Sequence, residues 1–279
     1  WIRLFRLDRP IGTYLLLWPT LWALWLASNG FPEIDILLIF FVGVIVTRAA
    51  GCVINDYADR NIDGQISRTA NRPIATGEIK PHSALLACVF LLVLAFCLVI
   101  QTNYFTVVLS MVAVVLMTIY PFCKRWINFP QVILGLTWGW VVPMSFAAVG
   151  HNISFVAFAL YLSVVFWTIA FDTLYAMVDR EDDIRVGVKS TAVYWAGNEL
   201  RHIALCQLCS LILLAYCGHQ SGRGWAFGAG IAITAICFVR QLRLANSREK
   251  SDCLNSFMNN HWVGMCIFLF LVLDYCMID

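Results

Sequence analysis

The sequence predicts an all-α polytopic membrane protein: nine transmembrane helices bundled into one integral membrane domain over residues 1–279. Three observations lead there. Of the 279 residues, 61% are hydrophobic and only 13% are charged, against about 25% charged residues in soluble domains. The apolar residues fall into runs long enough for a bilayer crossing, which takes about 20 of them. The cations gather at every second connection between those runs.

Taken in order, the first run predicts a helix over 10–28, preceded by Arg3, Arg6 and Arg9. The second, 34–54, runs straight into Asn55 and is followed by Arg60, Arg68, Arg72 and Lys80 before Pro81. Helices over 82–101 and 104–122 are joined by little more than Gln101-Thr102-Asn103, and Lys124 and Arg125 follow the second of them. Helices over 131–150 and 153–171 meet at Gly150-His151-Asn152. The long connection from Asp172 to Leu200 carries Arg180, Arg185 and Lys189, with Arg201 just beyond it. Helices over 201–218 and 224–240 are joined by Gly218 to Arg223. Arg240, Arg243, Arg248 and Lys250 follow, on or next to a connection from Gln241 to Asn259. There Leu242, Leu244, Leu254, Phe257 and Met258 suit an interfacial amphipathic segment. A ninth helix is expected over 260–277.

Counted this way, the loops on the opposite side hold Arg223 alone, and Arg48 lies inside the second helix. The positive-inside rule then puts the N-terminus and all long loops in the cytoplasm and the C-terminus on the other side. Miscounting by one helix would scatter the cations, so the asymmetry supports nine. A net charge of +2 is too small to point to nucleic acid. The eleven cysteines are scattered through apolar segments and read as small packing residues. Cys206 and Cys209 form a lone CxxC with no second pair, so neither a metal nor a redox role is expected. The chain begins at Trp1, which leads us to expect a short missing N-terminal piece; no cleavable signal is visible.

Chemistry enters at Asn55-Asp56-Tyr57-Ala58-Asp59-Arg60-Asn61-Ile62-Asp63. Asn55, Asp59 and Asp63 lie four apart, a spacing that stacks side chains on one helical face. Like charges so placed repel. Mg²⁺, which prefers carboxylate and amide oxygens and then recruits phosphate, removes the objection. The bland alternative is a solvated helix end. A second acidic stretch weakens that alternative: Tyr175, Asp179 and Asp183 repeat the three positions 120 residues later, and Asp172 adds a carboxylate on roughly the same face. Both stretches end even-numbered helices, so they share one membrane face, and a parallel repeat of helices 1–4 and 5–8, plus helix 9, is the natural organisation. Two acidic ends facing across a cavity suit Mg²⁺ ions that neutralise a diphosphate. Arg68, Arg72, Lys124 and Arg125 stand where such a diphosphate would need partners. Their alternative role is to mark topology, the role assigned to Lys80, Arg243, Arg248 and Lys250.

Asn55-Asp56-Tyr57-Ala58-Asp59 through Ala70-Asn71-Arg72-Pro73, Tyr120-Pro121-Phe122, and Asp172 through Asp183 resemble the UbiA-type intramembrane aromatic prenyltransferases. Arg9-Pro10-Ile11-Gly12, Leu17 to Trp22, Arg48 to Cys52 and Phe257 to Asn260 are similar to the branch that prenylates 4-hydroxybenzoate in ubiquinone biosynthesis. The resemblance covers almost the whole chain. It implies a central cavity open toward lipid and capped by two Asp-rich cytoplasmic loops, in a bacterial inner membrane. It implies a Mg²⁺-dependent transfer of a polyprenyl group from polyprenyl diphosphate to the carbon ortho to the hydroxyl of 4-hydroxybenzoate. Carried over by position, Asn55, Asp59, Asp63, Asp179 and Asp183 would bind Mg²⁺–diphosphate. Arg68, Arg72, Tyr120, Lys124, Arg125, Tyr175 and Lys189 would hold the diphosphate, and Asp59, Asp63, Asp179, Asp183 and Arg125 form the expected catalytic set.

Arg48, two turns below Asn55 on a similar face, is the candidate partner for the acceptor carboxylate, with snorkelling to the interface as its alternative. Asp56 and Asp172 are the candidates for taking the ring proton. Naphthoate, homogentisate and haem stay open as acceptors. A cation-coupled transporter is the rival from another class, but transporters place their acids near the midplane, commonly in inverted repeats. Asp63-Gly64 to Arg68 comes near an Asp-Gly-x-x-Ala-Arg motif of phosphotransferases. That motif needs further acids where this chain has Lys80, Pro81 and Leu85.

Overall fold

The computed structural model describes residues 1–150 and 153–278; the connection expected at His151 and Asn152 lies outside the described residues. Among the described residues twelve α-helices run in order: α1 Ile11–Ser28, α2 Ile34–Ala58, α3 Pro81–Val99, α4 Tyr104–Cys123, α5 Pro130–Gly139, α6 Val141–Ala148, α7 Phe155–Val186, α8 Thr191–Tyr194, α9 Glu199–Gln220, α10 Trp225–Ala245, α11 Lys250–Met258 and α12 Asn260–Ile278. Among the described residues, nine helical stretches are long and apolar enough to cross a membrane, with α5–α6 and α11–α12 each counting once.

Three departures from the expected boundaries shape the site. First, α7 continues 15 residues past Phe171 and ends only at Gly187, whose φ of +75° a non-glycine residue adopts rarely. Its 32 residues span roughly 48 Å at 1.5 Å each, well beyond the ~30 Å hydrocarbon core. The second acidic stretch is therefore the overhanging end of a rigid helix and not a loop. Second, the predicted helix over 131–150 breaks at Trp140, between α5 and α6. Pro143 has no N–H for the Gly139 carbonyl, and its ring crowds that oxygen. Third, the segment expected to lie at the interface contains the nine-residue helix α11, which buries Cys253, Ser256 and Phe257 against the bundle.

α7 is the axis of the bundle. Its Trp167 is buried against Trp22 of α1, ring centroids 5.1 Å apart, and gives its indole N–H to Asn260 Oδ1 of α12 at 2.9 Å. α5 lies so close that a β-carbon at Gly135 would stand 2.9 Å from the Val165 carbonyl oxygen, and one at Gly139 2.9 Å from the Tyr161 ring. Small residues four apart permit such helix contact in lipid. By contrast α3 and α4 turn large apolar side chains outward (Phe90, Val93, Tyr104 and Val115 are all exposed), as suits a lipid-facing wall. A second, smaller core under the first loop joins Leu4, Ala50, Val53, Ile74, Ile79, Ala84 and Cys88. Through Leu4 it anchors the N-terminal segment across the end of α2. All eleven cysteines are free.

Candidate active site

A cavity of about 1240 Å³ opens among α1, α2, α4, α5, α7 and α11, larger than the 300–1,000 Å³ usual for small-ligand pockets. Its polar end is built from the two acidic stretches. Asn55 lies in the last turn of α2, and Asp59 caps that helix with its N–H on the Asn55 carbonyl. Asp63 follows one turn later, its N–H bonded to the Asp59 carbonyl at 2.9 Å, and opens a 3₁₀ turn over Asp63–Gln65. The helical track thus survives past the end of α2 and keeps the three residues on one side. Opposite them, Tyr175, Asp179 and Asp183 lie on successive turns of α7 and line the same cavity.

Each acid of the first set has a cation. Lys124, just past α4, donates from Nζ to Asp59 Oδ2 at 3.1 Å and to Asn55 Oδ1 at 3.3 Å. Arg72 Nη1 reaches both oxygens of Asp63, at 3.0 and 2.9 Å, and lies 3.1 Å from Asp56 Oδ1. Asp56 is buried, and its Oδ1 and Oδ2 also accept from Arg6 Nη2 at 2.8 and 2.9 Å. Burial pushes the Asp63 carboxyl above its ordinary range, with Arg72 opposing the shift. Burial works against charge on Lys124 too, but Asp59 and Tyr120 beside it hold the ammonium's pKa above its ordinary value.

Arg68 joins the two stretches. It comes from the first loop, donates from Nε to Asp179 at 2.9 and 3.0 Å, bonds the Tyr175 hydroxyl, and stacks 4.3 Å from that ring. Ser67 N–H reaches Asp182 Oδ2 at 3.2 Å, Arg185 donates to the Gln65 carbonyl at 2.7 Å, and Lys189 N–H bonds the Lys124 carbonyl at 3.0 Å. The two acidic ends therefore share one face and one cavity. Asp183 has no cation within 4 Å among the described residues. Tyr120 and Lys189 also line the cavity. Arg125 does not: α4 ends at Cys123, and the exposed Arg125 guanidinium donates to the Ala58 carbonyl, clamping the end of α2 from outside.

Deeper in, Arg48 projects from α2 into the cavity and pairs with no carboxylate among the described residues. Its Nη1 contacts Cys52 Sγ, its guanidinium lies 5.7 Å from the Trp138 ring centre, and its Nε is buried without a hydrogen-bond partner. Asp172 lies on the α7 wall of the same space, next to Gln131 and within reach of the charges of Lys124, Arg68 and Arg48. The floor is apolar, with Leu134, Val141 and Met144 among its residues.

The donor set suits a hard divalent ion, since Asn55, Asp59, Asp63, Asp179 and Asp183 offer only oxygen. Among the described residues no three such acids converge tightly enough to chelate an ion alone, because Asp59, Asp63 and Asp179 are each drawn toward a cation. Arg6 and Trp138 went unrecognised in the sequence. Arg6 reads there as one more positive-inside residue, and its only distinguishing mark, a left-handed φ of 57°, is invisible before folding. Trp138 is one of 11 tryptophans, which in membrane proteins more often mark interfaces.

Comparison with known proteins identifies the family. The chain is 48% identical over 273 residues to the 4-hydroxybenzoate octaprenyltransferase of Saccharophagus degradans, covering 98% of this chain and 91% of that protein. Its fold matches the apo structure of a UbiA homolog from Aeropyrum pernix K1, with a TM-score of 0.83 at 21% identity, over 94% of this chain and 97% of that one. It also matches a UbiA homolog from Archaeoglobus fulgidus bound to GPP and Mg²⁺, with a TM-score of 0.78 at 19% identity, over 99% and 98% of the two chains. The sequence pattern of the UbiA prenyltransferase family spans residues 16–269, and the chain belongs to that family.

Proposed function

We propose that this protein transfers a polyprenyl group from polyprenyl diphosphate to the carbon ortho to the hydroxyl of 4-hydroxybenzoate, releasing diphosphate, as a step of ubiquinone biosynthesis. The observation that carries the reading is the Arg68 bridge to Asp179 and Tyr175, which joins both acidic stretches and their cations over one apolar hollow. The octaprenyltransferase relative supports the choice of substrates, and the cation asymmetry supports a cytoplasmic site in a bacterial inner membrane.

Asn55, Asp59, Asp63, Asp179 and Asp183 would hold Mg²⁺, which supplies Lewis-acid neutralisation of the departing diphosphate. Arg68, Arg72, Lys124 and Lys189 offer it charge-assisted hydrogen bonds, with Tyr120 and Tyr175 adding hydroxyl groups. Arg125 acts at one remove, by holding the end of α2 that carries Asp59. The allylic C–O bond breaks with its electron pair going to the diphosphate, and these fixed charges meet the negative charge as it develops. The prenyl tail lies along the apolar wall, where water that would quench the cation is excluded. Arg48 pairs with the acceptor carboxylate, and the ring carbon ortho to the hydroxyl forms the new C–C bond. The ring proton then passes to a base, restoring aromaticity. Asp172 suits that role better than Asp56, whose oxygens are engaged by two arginines.

Membranes containing the protein, incubated with polyprenyl diphosphates of several lengths and a panel of aromatic acids, test the reading. We expect prenylated 4-hydroxybenzoate and free diphosphate, both lost on chelation of divalent ions. Turnover of naphthoate or homogentisate alone would reassign the acceptor, and no diphosphate release from any pair would overturn the assignment.

A further inference from the structure

Gly12 stands in the first turn of α1, buried against the cavity wall. Its backbone does not require glycine, because its φ lies outside the left-handed region. Alanine is the better helix former, so the sequence accepts a weaker helix start here. What a side chain would meet is a single group. A β-carbon at Gly12 would stand 2.5 Å from both Nε and Nη2 of Arg48 and 2.8 Å from Cζ, closer than real β-carbons approach. The Nε–Nη2 edge of the guanidinium therefore rests on bare backbone. This berth also accounts for the buried Nε without a hydrogen-bond partner.

We infer that Gly12 is a positioning residue for the aromatic acid: the missing β-carbon seats the Arg48 guanidinium on the cavity wall. This rests on the acceptor site proposed above. The planar head of Arg48 is held by contact on three sides, from Gly12, Cys52 Sγ and the Trp138 ring. Such seating takes up the Nε–Nη2 edge and leaves the Nη1–Nη2 end as the fork that can meet a carboxylate with two parallel bonds. A methyl group at position 12 would push the head off that wall. A displacement on the order of 1 Å in a positioning group costs up to roughly 100-fold.

The test is a cycle of Gly12→Ala, Arg48→Ala and the double variant, with steady-state constants for both substrates and melting temperatures in detergent. Gly12→Ala is expected to raise the KM for 4-hydroxybenzoate about tenfold or more, with the KM for polyprenyl diphosphate unchanged. Because alanine is the better helix former, the melting temperature should stay level or rise; a purely structural role would lower it. In the Arg48→Ala background, where nothing is left to displace, Gly12→Ala should add no further increase. If Arg48→Ala raises the acceptor KM but Gly12→Ala does not, or if the two effects simply add, the inference about Gly12 is wrong and the acceptor site stands. If Arg48→Ala leaves the acceptor KM unchanged, the acceptor site itself is wrong and Gly12 loses its role with it. If Gly12→Ala accumulates poorly and the double variant accumulates normally, Arg48 is the group displaced, as inferred; poor accumulation of both would make Gly12 a purely structural residue and overturn the inference.

Discussion

Replacing Arg68 by Ala separates two properties that most substitutions in this cavity would change together. Arg68 is partly buried, and it gives Asp179 two Nε contacts at 2.9 and 3.0 Å and a further bond from Nη2. In the protein without substrate it neutralises a carboxylate that the reaction assigns to the divalent ion. With substrate it faces the diphosphate. Its loss should therefore act in opposite directions on the two ligands. A hydrogen bond to a charged group is worth about 1.5–3 kcal/mol, and each 1.4 kcal/mol is about tenfold, so the KM for polyprenyl diphosphate should rise roughly 10- to 100-fold. Freed of a competing cation, the acids should bind Mn²⁺ or Mg²⁺ at least about tenfold more tightly in the absence of diphosphate, since a unit charge at ~4 Å is worth about 4 kcal/mol at an effective dielectric near 20 before solvent screens it. Calorimetric titration of the detergent-purified protein with each ion, beside steady-state kinetics, measures both. Parallel weakening of ion and prenyl diphosphate binding would refute the reasoning, because it would make Arg68 a mere brace.

Further expectations are more direct. Asp59→Asn and Asp179→Asn should each abolish turnover while leaving the melting temperature within a few degrees, since both side chains line the cavity and asparagine keeps their shape and a hydrogen-bonding oxygen. Arg48→Ala should raise the KM for 4-hydroxybenzoate without changing that for the donor, as measured with each substrate saturating in turn. Gly139→Ala should lower the melting temperature, because a β-carbon there meets the Tyr161 ring at 2.9 Å and overpacking costs about 1–3 kcal/mol. Asp274→Ala should destabilise by about 3–5 kcal/mol while the folded fraction keeps its KM values. That carboxylate caps α10 through the N–H groups of Gly224 and Phe227 at 2.8 and 3.1 Å and is a counter-ion of the buried Arg223.

Much of this protein can be read before it is folded. Hydropathy marks nine crossings because lipid demands long uninterrupted apolar runs, and the cations sort by side because topology depends on them. The spacing of Asn55, Asp59 and Asp63, echoed by Tyr175, Asp179 and Asp183, is legible because a helix turns local spacing into a shared face. Long-range facts are not local in this sense. That Asp179 belongs to a helix overhanging the membrane depends on Arg180, Arg185 and the bundle supporting α7 past its apolar part. Lys124 and Arg125 are neighbours in sequence, yet Lys124 enters the cavity while Arg125 clamps the end of α2 from outside. The end of α4 decides which, and helix ends are uncertain by a few residues from sequence. Arg6 meets Asp56 across 50 residues, and Gly12 meets Arg48 across α1 and α2. Neither pairing leaves a periodic signal.

The central claim is that two acidic helix ends hold one metal-loaded diphosphate between them. Binding of a non-reactive prenyl thiodiphosphate, titrated calorimetrically with and without Mg²⁺ into wild type, Asp59→Asn and Asp179→Asn, tests it most directly. The expected result is one ligand per chain, dependent on the ion, with affinity lost when either end is altered. Wild-type affinity in either variant would mean that one end suffices, contradicting the account.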